Sequence, residues 1–123
     1  MRVSRRRFVR LVEEALRQIP EELRRALENV HVAVEDWPTP EQLASVGLPE
    51  DGVLFGLYEG TPLVERGTEL PLLPDRITLF QGPLEEACDT EEELREEIRK
   101  TVVHELGHYF GLDEDRLEEL GYG

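Results

Sequence analysis

His104-Glu105-Leu106-Gly107-His108, with Gly111 and Glu114 behind it, sets imidazole and carboxylate groups at the spacing of a metal site. Residues four apart on a helix share a face, so His104 and His108 can reach one cation. Glu105 is too close in sequence to bind that ion comfortably beside both histidines. It is placed instead to take a proton from water and hand it to a leaving amine. The implied chemistry is hydrolysis. A catalytic zinc ion takes three protein ligands and keeps one position for water, whose pKa it lowers from about 16 towards 7. Spacing after Gly111 favours Glu114 as the third ligand, within the acidic run Asp113-Glu114-Asp115. Asp113 and Asp115 compete for that role. Asp115 could equally cap a terminal helix over Arg116 to Leu120, leaving Asp113 solvated. His31, the only other histidine, stands alone on a strand and is read as structural.

These side chains need a long helix beneath them. Thr90 and Glu93 spell a capping box, which predicts a start near Glu91, and the acids at 91 to 93 complement the helix dipole. The apolar pattern continues to Phe110, and Gly111 suits a left-handed exit that would turn a third ligand back under the histidines. On a helical wheel Leu94, Ile98, Val102, Leu106 and Tyr109 form the core face. Glu105 falls inside that arc, where an ionised side chain needs a strong partner. His104 and His108 lie just beyond the edge of the arc. Glu97 and Thr101 share the histidine stripe and could orient an imidazole, although surface ion pairing is the simpler role for Glu97. Tyr58, Tyr109 and Tyr122 are candidates to stabilise an oxyanion, with Tyr109 on the core face. No sequence argument selects among them.

Ahead of this helix, Ser4 can cap a first helix to about Gln18, and Pro20 can open a second through Leu27. Val30 to Val34 reads as a strand with its three valines on one face. Residues 40 to 46 form a helical turn before Gly47. Val53 to Tyr58 is a second strand, residues 60 to 74 a long loop or irregular hairpin, and Arg76 to Phe80 a third strand stopped by Gly82 and Pro83. The order predicts an α+β fold in a single domain, 1–123. A small mixed sheet would pack against the N-terminal helices and the long helix. One of the strands Val53–Tyr58 or Arg76–Gln81 would be an edge able to bind an extended peptide.

With 123 residues and a net charge of −14, the chain is poorly suited to nucleic acid, whose phosphates call for Lys and Arg. The charge is uneven: residues 85 to 119 hold fourteen acids against four bases, most simply a solvated helix face. No apolar stretch reaches membrane-spanning length. The single cysteine, Cys88, excludes an internal disulfide framework and cysteine-rich zinc modules, and it fits a reducing compartment. Ser4-Arg5-Arg6-Arg7-Phe8 looks like a twin-arginine export signal, but Glu13, Glu14, Arg17 and Gln18 interrupt the apolar region such a signal needs. The expectation is a cytoplasmic protein.

The stretch from His104 to Leu117, together with the Pro74-Asp75-Arg76-Ile77 approach to the third strand, resembles the small bacterial minimal zincins. Their motif is H-E-x-x-H-x-x-G-x-x-D before an Arg-Leu-containing helix, and the similarity covers most of the chain. The resemblance implies a zincin-like domain of minimal size, bound Zn2+ and peptidase activity on a peptide or protein substrate. Glu114 stands where that family has aspartate, which keeps its acidic neighbours open as ligands. Metzincins share part of the motif but need a methionine after the third ligand, and Met1 is the only methionine here. Two other readings compete: a zinc-binding module that acts through a protein partner without proteolysis, and an accidental motif on a structural helix.

Overall fold

In the computed structural model, which describes residues 1–60, 75–111 and 114–119 (without the side chains of Glu114, Leu117 and Glu118), the polypeptide starts with the capped helix that Ser4 predicts. Helix α1 (Arg5–Arg17) begins where the Ser4 hydroxyl accepts the Arg7 N–H at 3.0 Å. Phe8, Leu11, Val12 and Ala15 form its buried side. Each of the larger ones contributes roughly 1.5–3 kcal/mol relative to exposure. The residues behind Arg5-Arg6-Arg7 therefore serve the core, and no helix among the described residues is long and apolar enough to cross a membrane.

Helix α2 (Glu21–Arg24) follows Pro20 and runs into a 3-10 turn over Arg25–Asn29. Strand β1 (His31–Glu35) and helix α3 (Pro40–Ser45) come next, the latter closed by a complete Thr39–Gln42 capping box. Strand β2 is shorter than the apolar run suggests, covering Gly56–Glu59. Strand β3 (Arg76–Phe80) is the centre of a mixed sheet ordered β1-β3-β2, parallel to β1 and antiparallel to β2. Its residues Ile77, Thr78, Leu79 and Phe80 are all buried, as a strand covered on both faces requires.

Gly82 and Pro83 do not simply stop β3. They lie in the first turn of helix α4 (Gln81–Ala87), which the sequence reading passed over. Proline is tolerated there because the first helical N–H groups have no partner within the helix. Residues 61 to 74, expected as part of a long loop or irregular hairpin, lie outside the described residues. Helix α5 (Glu91–Tyr109) carries the histidines and packs against α1, α4, β2 and β3. Ion pairs of Arg7 with Glu91 at 2.6 Å and of Arg95 with Glu14 at 3.1 Å tie α1 to it. Helix α6 (Glu114–Glu119) follows Gly111. The architecture is α+β, as expected.

Candidate metal centre

Helix α5 starts where the Thr90 hydroxyl accepts the Glu93 N–H at 3.1 Å. The reciprocal bond of the expected box is shifted by one residue, the Glu93 carboxylate accepting from the Asp89 N–H at 2.9 Å. Leu94, Ile98, Val102, Leu106 and Tyr109 are buried, which matches the predicted core face. Gly111 leaves the helix with φ 82°, the left-handed exit that only glycine takes without strain.

In its last two turns α5 presents the motif. His104 and His108 are half-buried, with ring centroids 5.1 Å apart and planes at 79°. Glu105 is only 8% exposed. One ligand-capable atom from each of His104, Glu105 and His108 lies within 4.8 Å of the others, the only such group of His, Cys, Asp or Glu among the described residues. Imidazole is a donor zinc prefers, and Glu105 stands beside the pair where it could act on a bound water, so the residues present fit that ion.

Strand β2 completes the site from above. The Phe80 N–H donates to the Phe55 carbonyl at 2.9 Å, which fixes the register of the antiparallel pair. Phe55, Leu57 and Glu59 then face β3 with their backbone groups, while those of Gly56 and Tyr58 turn outward. The outward Tyr58 N–H donates to Glu105 Oε1 at 2.9 Å. A buried carboxylate on the apolar stripe thus has a backbone partner of its own, which the sequence did not reveal. Such close approach needs Gly56: a Cβ there would sit 2.5 Å from the Thr101 methyl and 3.5 Å from Glu105 Cγ. A glycine interrupting an apolar strand was the available signal. Two clefts, of about 400 and 340 Å3, meet at Leu54, Gly56, His104 and Glu105. A larger depression of about 700 Å3 beside Trp37 and Gly82 gathers no comparable groups.

Other candidates are placed as follows. Glu114 opens α6, but its side chain and all of Asp113 lie outside the described residues. Asp115 is exposed within α6 rather than capping it, because the helix starts earlier than Arg116. Thr101 donates to the Glu97 carbonyl of its own helix at 2.7 Å, and Glu97 lies 4.0 Å from Lys100, so neither contact orients an imidazole. His31 sits exposed on β1, separated from β2 by the central strand. Tyr109 is buried packing, and Tyr58 donates its hydroxyl to Asp75 Oδ1 at 2.7 Å. Tyr122 lies outside the described residues. Cys88 is buried at the C-terminus of α4, and burial pushes its thiol pKa up, the condition of an inert cysteine. Of the two strands considered as edges, Arg76–Phe80 is central, and among the described residues Gly56–Glu59 is the edge beside the histidines.

No curated protein matches the chain. A solved structure, a conserved hypothetical protein from Thermo thermophilus, is similar at 31% identity and a TM-score of 0.53. The match covers 96% of this chain and 97% of that one. The model of the zincin-like metallopeptidases matches residues 27–123, a span holding the whole sheet, α5 and the histidine motif. By that match, the chain belongs to the zincin-like metallopeptidase family.

Proposed function

We propose that this protein is a zinc-dependent peptidase in which His104 and His108 are metal ligands, Glu114 is the third, and Glu105 is the general base. The observation that carries the proposal is the convergence of His104, Glu105 and His108 within 4.8 Å at the meeting point of two clefts. Bound zinc would supply Lewis acidity towards a peptide carbonyl and a lowered pKa for water. Glu105 takes the proton from the attacking water and delivers it to the departing amine nitrogen. The clefts run along residues 53–58, into the start of β2, a course suited to an extended peptide. Val46, Leu48 and Leu54 give one side of this path an apolar wall. Cys88, the chain's only cysteine, is a buried free thiol, which fits a cytoplasmic setting.

Elemental analysis of untagged protein, followed by digestion of a mixed-peptide library, tests the assignment. Expected are one zinc per chain and cleavage that Glu105→Gln abolishes while zinc is retained. Failure to take up zinc at micromolar concentration would overturn the metal assignment. Zinc uptake without cleavage would point instead to a binding module that works through a protein partner.

A further inference from the structure

Tyr58 touches the general base and a second buried acid at once. Its backbone N–H holds Glu105 Oε1 at 2.9 Å, and its hydroxyl donates to Asp75 Oδ1 at 2.7 Å. Asp75 is 6% exposed and sits at the entrance to β3, where its carbonyl accepts the His31 N–H at 3.0 Å. Gly60 closes over this pair: a Cβ at that position would overlap Asp75 Oδ1 and come within 3.0 Å of the Tyr58 hydroxyl. The Tyr58 ring is also braced edge-on by Tyr109, at 6.0 Å between centroids, one helical turn beyond Glu105. Both ends of Tyr58 are therefore fixed, one by the central strand and the other by the catalytic helix.

β2 is only four residues long and, among the described residues, pairs with another strand only on its β3 side. A strand this short has few ladder bonds to hold it against β3, and any displacement of β2 carries the Tyr58 N–H with it. We infer that Asp75 and Tyr58 are positioning residues for the proposed hydrolysis: the Tyr58–Asp75 hydrogen bond holds β2 so that its outward N–H keeps one oxygen of Glu105 fixed. The Tyr58 hydroxyl proton is committed to Asp75, so Tyr58 acts through Glu105 and not on the substrate. This inference rests on the reading of Glu105 as general base, but its test does not depend on turnover.

The amide proton of Tyr58, followed by NMR in the full-length protein as purified and with zinc added, reports the bond directly. A charge-assisted bond to a carboxylate gives a downfield, exchange-protected amide. That signature should weaken in Glu105→Gln, and equally in Tyr58→Phe and Asp75→Asn, where only the distant hydrogen bond is changed. Thr90→Ala, which destabilises α5 far from the site, should leave it in place. Where peptide cleavage is measurable, Tyr58→Phe and Asp75→Asn should each lower kcat about tenfold with KM and zinc affinity within about twofold. The double variant should be no worse than either single one. A Tyr58 amide unchanged in both single variants would overturn the inference, as would kcat losses that Thr90→Ala reproduces. If the protein takes up no zinc or cleaves nothing, the proposed function fails while the amide comparison still decides this point.

Discussion

Replacing Gly56 by alanine should push β2 off helix α5, and the cost can be worked from one contact. The new Cβ would lie 2.5 Å from Thr101 Cγ2, against an ordinary carbon–carbon separation of about 3.5–4.0 Å. The shortfall is about 1 Å, and Thr101 cannot simply rotate away. Its hydroxyl is bonded to the Glu97 carbonyl at 2.7 Å, and the residue is buried. Overpacking of this kind costs about 1–3 kcal/mol, and about 2 kcal/mol is a fair centre. For a chain of 123 residues that is about 8 °C in Tm, from about 2.1 cal/mol/K of unfolding entropy per residue. The lower unfolded-state entropy of alanine opposes the loss by about 0.4–1 kcal/mol. Gly56 is not at positive φ, so no backbone strain is added.

Thr101→Ser removes the clashing methyl and keeps the hydroxyl. Alone it should cost about 1 kcal/mol for the lost buried group. In the double variant the clash is gone, so its stability should resemble that of Thr101→Ser. The double-mutant cycle then gives a coupling of about 2 kcal/mol, in which the alanine entropy effect cancels. Urea denaturation of the four proteins measures it, given two-state unfolding. Additivity within about 0.5 kcal/mol would refute the claim that this one contact sets the distance between strand and helix.

Zinc at about a hundredfold excess over its Kd should stabilise the folded protein by about 2.7 kcal/mol, or about 10 °C, and His104→Ala or His108→Ala should abolish the shift in a thermal melt. An equal shift in those variants would place the ion elsewhere. Thr90→Ala should lower stability by about 1 kcal/mol in denaturant titration, because the first turn of α5 loses the bond to the Glu93 N–H. Arg7→Gln tests the tie between α1 and α5. The hydrogen bond from Arg7 is the main cause that holds the Glu91 carboxyl below its ordinary pKa. Its contribution is present above the unfolded carboxylate range and fades as pH falls through the lowered folded pKa. Variant and parent should differ in Tm at neutral pH and converge in acid; a gap independent of pH would remove the ion pair as its cause.

The long helix was legible because several signals agreed: the Thr90 cap, the apolar face and the Gly111 exit all point to the same boundaries. Glu105 was legible as an anomaly, an acid where the wheel calls for a hydrophobe. What answers that anomaly was not. A backbone N–H carries no residue identity, so nothing in the letters of Tyr58 reports that it faces Glu105. Asp75 was visible as part of the approach to β3, yet only the register of β2 against β3 brings it to the Tyr58 hydroxyl. Helix α4 was missed for a different reason. Gly82 and Pro83 interrupt a helix interior but fit a first turn, and local composition alone does not tell the two apart. Strand β2 came out shorter than its apolar run because Val53, exposed at 69%, lies on the rim of a cleft and not in the ladder.

The family match begins at residue 27, yet the packing of the histidine-bearing helix is not complete within it. Phe8, Leu11, Val12 and Ala15 from α1 share one core with Leu94, Ile98, Val102 and Leu106, and two ion pairs bridge the same helices. The matched span is thus narrower than what must fold together. A version of this protein trimmed to the matched span would keep every residue of the motif and lose the wall behind it. The histidines would then ride on a helix whose α1-facing side had become outer surface, and their spacing would depend on a partner to restore that cover.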